Sequence, residues 1–155
     1  MTTRLIVVST AVGAAVLAGV GLVCRLSWLR RNILLVTVEG RSMEPTLVGG
    51  DRVVVRRTAP QRLKRDDIVV CPLQLPDGAL LVPVEGGAGT DQFWIKRLAA
   101  LPGDPLPPGV EGHPGPVPSE LAVLLGDNAA LSIDSRQTGP IRLENIIGVV
   151  VRGPT

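Results

Sequence analysis

The chain opens on an apolar run. Leu5 to Val23 (LIVVSTAVGAAVLAGVGLV) is 19 residues without a charge. As a helix it would extend about 28 Å, close to the hydrocarbon thickness of a bilayer. Its interior Gly and Ala residues are tolerated in membrane helices, and Trp28 follows where an interfacial aromatic would sit. A cleaved secretory signal has a shorter apolar core, about 7–15 residues. The length and the flanking arginines therefore favour a retained anchor over 5–23, against a cleaved signal or a buried soluble helix.

Beyond the anchor the pattern shortens to strand-length segments separated by Gly and Pro. Leu34–Val38 (LLVTV) is apolar and β-branched and predicts a strand. A second strand is expected over Asp51–Arg56, and a third over Ile68–Cys71, ended by Pro72. Pro76-Asp77-Gly78 signals a turn before the apolar segment Ala79–Val84. Further strands are predicted over Phe93–Leu101, Leu121–Leu125 and Ile146–Arg152, with Gly-rich and Pro-rich loops between them. No internal repeat, heptad pattern or long amphipathic helix is present. The expected fold is mostly β: one compact domain over 34–152 behind one N-terminal transmembrane helix.

Composition narrows the function. Gly and Pro supply 32 of the 155 residues, which suits a loop-rich β domain. The net charge of +2, without a basic stripe, argues against nucleic-acid binding. Cys24 and Cys71 form neither a CxxC pair nor a Cys/His cluster, so neither metal nor cofactor is implied. Val23 stands where a lipobox at Cys24 would need a small residue.

Groups able to act as a base near neutral pH are few: His113, Lys64 and Lys96. His113 sits in Gly112-His113-Pro114-Gly115, a loop poorly suited to precise proton transfer. Lys64, beside Leu63 and Arg65, reads as a solvated surface charge. On a strand, Lys96 shares a face with Trp94 and Leu98. Apolar burial of that kind lowers a lysine pKa by disfavouring the charged form. Taken alone, a strand lysine is more often a rim residue. Ser42 stands between a strand and a turn, beside Gly40 and before Pro45. Such a serine can present its hydroxyl together with adjacent N–H groups, although serines in turns are common.

Three segments together resemble one family. Gly40-Arg41-Ser42-Met43-Glu44-Pro45-Thr46-Leu47 with Gly50-Asp51 is similar to the nucleophile box of the signal peptidase I family. Ile95-Lys96-Arg97 with Leu101-Pro102-Gly103-Asp104 resembles its lysine box. Gly126-Asp127-Asn128, Ser132 and Asp134-Ser135-Arg136 resemble its third box, and all three occur in the family's order. The resemblance implies a Ser–Lys dyad serine peptidase with Ser42 as nucleophile and Lys96 as general base. It further implies that Ser132 hydrogen-bonds the lysine amine, that Asp134 and Arg136 form a bracing ion pair, that Asp127 and Asn128 shape the site, and that Met43 packs near nucleophile and substrate. Where some members carry a serine two residues before the nucleophile, this chain has Gly40. Only 28 residues separate Arg97 from Gly126, too few for the extra β domain of larger members. The chain therefore resembles the minimal forms, including the mitochondrial inner-membrane peptidases.

The implied partners are preproteins with small residues one and three positions before the cut, and membrane lipid. The implied location is the plasma membrane, single-pass, with an extracytoplasmic catalytic domain; the mitochondrial inner membrane is the alternative. The arginines argue the other way. Arg25, Arg30 and Arg31 follow the span against Arg4 before it, which by the positive-inside rule would hold the domain in the cytoplasm. Two further functions compete: a dedicated maturation peptidase for one or few substrates, and an inactive subunit of a membrane complex. The second is disfavoured by retention of both Ser42 and Lys96. A self-cleaving repressor, which also uses a Ser–Lys dyad, would need an N-terminal DNA-binding domain where the apolar run stands.

Overall fold

The computed structural model describes residues 17–28, 30–74, 80–81, 93–110 and 115–152. It forms two compact units, 1–33 and 34–155. In the first, residues 17–28 are helical and expose Leu17, Val20, Leu22 and Val23. The expected anchor lies partly outside the described residues, and among those described no helix is long and apolar enough to cross a membrane. His113 and most of Ala79–Val84 also lie outside them.

The second unit is built on one sheet. Its strands are β1 (Ile33–Thr37), β2 (Arg52–Arg57), β3 (Ile68–Gln74), β4 (Leu80–Leu81), β5 (Phe93–Ala100), β6 (Leu121–Leu125), β7 (Ile141–Arg142) and β8 (Gly148–Arg152). Their order is β1-β2-β8-β3-β5-β6-β7, with β4 on β3. The β2–β8, β3–β8, β3–β4, β3–β5, β5–β6 and β6–β7 pairs are antiparallel. The mostly β expectation thus holds for this unit.

One boundary differs for a physical reason. Pro72 does not end the third strand, which runs on to Gln74. Proline removes a ladder donor, but on one edge of β3 the β8 ladder has stopped at Val70 and β4 pairs only from Leu73. The short β7 and the helix Ser135–Thr138 carry too few residues for periodicity to reveal them.

Strand alternation sorts the core. Val70 and Ile95 pack with Val36, Val38, Met43, Leu47, Val53 and Val55. Val69, Cys71, Leu98, Ala122 and Leu124 form a second cluster, with Trp94 against it. Each fully buried aliphatic of this kind contributes about 1.5–3 kcal/mol relative to exposure. Trp94 and Leu98 therefore point one way from β5 and Ile95 the other, and position 96 falls on the Trp94 side. An irregularity between Leu98 and Ala100 shifts the β5–β6 register, and both Ala99 and Ala100 then pack into a third cluster with Val123.

Candidate active site

Ser42 lies on a turn pinned at both ends. Met43 and Leu47 are buried in the first core cluster, so the intervening residues cannot drift outward. The Leu47 N–H donates to the Met43 carbonyl at 3.0 Å, and that of Val48 to Asp51 Oδ2 at 2.8 Å. Gly40 enters the turn with φ +74°, a conformation that L side chains rarely adopt. Ser42 itself is half-buried beneath the opening of a cleft.

Lys96 meets it from β5. The lysine is only 3% exposed, and its Nζ lies 2.8 Å from Ser42 Oγ. The Trp94 ring centroid is 5.5 Å from the same nitrogen. Burial holds the Lys96 pKa below its ordinary value; Asp134 and Cys71 pull it back up, and Arg136 adds to the depression. Cys71 is itself pushed up to about 12 by burial, with the Lys96 charge pulling the other way. The other lysine, Lys64, is exposed.

The segment after β6 closes the site. Asp134 is fully buried and caps the helix Ser135–Thr138, in a capping box with Gln137. Its carboxylate accepts from Arg136 Nε at 2.9 Å and Nη2 at 2.6 Å, from the Gly126 N–H at 2.8 Å, and from Ser132 Oγ at 2.6 Å. Ser132 is thus a donor to Asp134, which leaves its lone pairs for an amine; no Ser132–Lys96 bond is present among the described residues. Asp127 accepts from Arg97 Nε at 2.8 Å and Nη2 at 2.7 Å, and from Thr46 Oγ1 at 2.5 Å. The Asn128 N–H donates to the Ser42 carbonyl at 2.9 Å. Gly126 lies where these pieces converge: a Cβ there would stand 2.6 Å from the Ser42 carbonyl oxygen and from Ser132 Cβ, and would overlap Ser132 Oγ.

These carboxylates tie the site to pH. Burial raises the Asp134 pKa, but the bonds from Arg136, Gly126 and Ser132 outweigh it and leave the value lowered. Asp127 is lowered chiefly by Arg97, with burial opposing and Thr46 adding to it. A carboxyl whose folded pKa lies below its unfolded value stabilises fully above the unfolded value, near 4. That stabilisation is lost as pH falls through the folded value. Asp134→Asn should cost about 3 kcal/mol at pH 7, because it leaves Arg136 without its charge partner. It should also flatten the loss of thermal stability below pH 4. Melting curves of both proteins between pH 2 and pH 7 check this.

A cleft of about 210 Å³ opens on Ser42 and Lys96, lined by Thr37, Val38 and Glu39 from the β1 side, Met43 from the turn, Leu73, and Phe93 to Ile95 from β5. Two larger cavities, of about 700 and 480 Å³, include neither Ser42 nor Lys96 in their walls. Among the described residues no group of three His, Cys, Asp or Glu side chains could hold a metal ion.

The residues to which the family resemblance gave a role lie around one turn: Ser42, Met43, Lys96, Asp127, Asn128, Ser132, Asp134 and Arg136; Lys64 is exposed and His113 lies outside the described residues. Sequence reasoning assigned no role to Thr46 or to the Arg97 side chain, although both stand inside the quoted segments. Their bonds to Asp127 span 81 and 30 residues, and no local pattern signals contacts of that range.

The β sheet thus brings a buried lysine against a serine on a turn. Residues 5–107 match the family model described as signal peptidase, peptidase S26. The chain belongs to that family. It is 31% identical over 135 residues to thylakoidal processing peptidase 1, chloroplastic, of Arabidopsis thaliana, covering 72% of this chain and 39% of that protein. It is 31% identical over 139 residues to signal peptidase I of Leptolyngbya laminosa, covering 74% and 64%. Signal peptidase I V of Bacillus subtilis is 32% identical over 138 residues, covering 73% and 80%. The chain spans about two fifths of the length of the first of these relatives and under two thirds of the second.

Proposed function

We propose that this protein is a membrane-bound serine endopeptidase that removes signal peptides from exported preproteins through a Ser42–Lys96 dyad. The observation that carries the reading is the 2.8 Å approach of a buried lysine amine to the Ser42 hydroxyl. Family membership supports the reaction class.

With Lys96 neutral, the same contact lets the Ser42 O–H donate to Nζ. Ser42 Oγ attacks the scissile carbonyl carbon as its proton passes to Nζ. The backbone N–H of Ser42 stabilises the oxyanion. The tetrahedral adduct then breaks its C–N bond, the Lys96 ammonium protonates the departing amine, and an acyl-Ser42 remains. Water, giving a proton to Lys96, attacks the ester; the acyl C–Oγ bond breaks, Lys96 returns that proton to Ser42 Oγ, and the new carboxyl end leaves. Ser132 offers its lone pairs to the Lys96 amine and the Asp134–Arg136 pair braces Ser132, while Asp127 and Asn128 hold the turn and Met43 forms part of the substrate wall.

The cleft suggests how substrate lies. β6 pairs with β5 only from Arg97 onward, so the edge of Phe93–Lys96 opens toward the cleft. An extended segment can add along that edge by main-chain hydrogen bonds. Val38, Met43, Phe93 and Ile95 leave little room beside it, which favours small side chains before the cut. The exposed apolar residues of 17–28 support membrane attachment as part of an anchor over 5–23, with the catalytic domain over 34–152 outside the cytoplasm, where exported preproteins emerge.

Incubation in detergent with a panel of preproteins tests the function. Cleavage of several is expected, and Ala→Leu at the position before the cut should lower kcat/KM by at least about 100-fold, since a small pocket rejects bulk by steric clash. Cleavage of a single substrate would mark a dedicated maturation peptidase, and no cleavage an inactive subunit. For the active enzyme, kcat/KM should fall on the acid side as Lys96 gains a proton.

A further inference from the structure

Two turns distant in the chain must meet for Ser42 to face Lys96, and the contact between them is small. The Asn128 N–H holds the Ser42 carbonyl at 2.9 Å. One hydrogen bond fixes the Ser42 end of the turn, and between the buried Met43 and Leu47 the residues Pro45 and Thr46 are exposed. A second bond, four residues further on, ties that exposed stretch to the same opposing turn: Thr46 Oγ1 donates to Asp127 Oδ2 at 2.5 Å.

The far end of that bond is rigid. Asp127 is gripped bidentately by Arg97, whose Nη1 also donates to the Asp66 carbonyl at 2.9 Å. Arg97 directly follows Lys96 on β5. The path Thr46–Asp127–Arg97 therefore refers the nucleophile's turn to the strand that carries its base. The Asp127 side chain is 14% exposed, so its carboxylate is largely withdrawn from water that could replace the hydroxyl.

We infer that Thr46 is a positioning residue for the proposed dyad reaction, its hydroxyl setting the orientation of the Ser42 turn through Asp127 and Arg97. This rests on the assignment of Ser42 and Lys96 above. Thr46 is itself exposed, so Thr46→Val removes the hydroxyl at nearly constant shape without opening the core.

The experiment is steady-state cleavage of a preprotein by wild type, Thr46→Val, Thr46→Ser and Ser42→Ala, with thermal melts of each. Thr46→Val should lower kcat roughly 10- to 100-fold, the scale of a sub-ångström to one-ångström misplacement at a reacting centre. KM should stay within about twofold and the acid limb of the pH profile should not move, because neither the cleft nor Lys96 is touched. Thr46→Ser, which restores the hydroxyl, should recover most of the rate. Wild-type kcat in Thr46→Val would overturn the inference, as would Thr46→Ser as slow as Thr46→Val, or a loss expressed only in KM. Persistent cleavage by Ser42→Ala would instead overturn the dyad beneath it, so the two failures are distinguishable.

Discussion

Ser42→Ala and Lys96→Met are each expected to abolish preprotein cleavage, with kcat lower by about 10⁴- to 10⁶-fold, and the double variant no slower than either alone. Residues that act as a unit lose most of their effect together, because a nucleophile without its base and a base without its nucleophile are equally idle. The structure adds an asymmetry in stability. Lys96 has its folded pKa below the unfolded value, so at neutral pH its burial disfavours the folded state, and the cost shrinks only as pH rises toward the unfolded value. Methionine fills the same space without a charge. Lys96→Met should therefore melt at least as high as wild type, while Ser42→Ala should melt close to it. Active-site titration with an acylating inhibitor, run beside the melts, separates lost chemistry from lost fold. A Lys96→Met protein that still cleaves would defeat the dyad, and one that melts well below wild type would defeat the account of its burial.

Gly126→Ala is the second large effect. A methyl group there would overlap Ser132 Oγ and stand 2.6 Å from the carbonyl oxygen of Ser42. Neither neighbour can yield cheaply. Ser132 is buried and bonded to Asp134, and the Ser42 carbonyl is held by the Asn128 N–H. The added carbon must push the nucleophile turn away from β6 or break the Asp134 cluster. Overpacking of this kind costs about 1–3 kcal/mol. The catalytic penalty should be larger, at least about 100-fold in kcat, because the displaced atoms belong to Ser42, the proposed nucleophile. Melting and kinetics on the same preparation check both parts; a Gly126→Ala enzyme with near wild-type kcat would mean that Ser42 is not held against this turn.

Much of the fold was legible as local pattern. β6 falls where its short apolar run places it, and β1, β2, β5 and β8 lie within one or two residues of expectation. β1, β2 and β8 are rich in β-branched residues, β5 and β6 are largely apolar, and Gly, Pro or Asp stands near their ends, so chain neighbours carry the signal. The extension of β3 through Pro72 was not legible, because proline's effect depends on which neighbour lies beside that edge. The Lys96 face was legible from the period of two, since Trp94 and Leu98 flank it. The turn carrying Ser42 was visible only as a glycine-marked segment beside a strand, and its chemistry came from resemblance across three separated segments.

The sequence by itself determined the mostly β class, the apolar N-terminal run, the family and most of the polar groups around Ser42 and Lys96, Thr46 and the Arg97 side chain excepted. These properties reside in short windows or in motif order, both written along the chain. Tertiary structure decided that Lys96 approaches Ser42, that Gly126 is the contact floor beneath both serines, and that Thr46 reaches Asp127. Each joins residues 6 to 84 positions apart. A contact across most of such intervals exists only because a strand register and a buried core bring its two ends together.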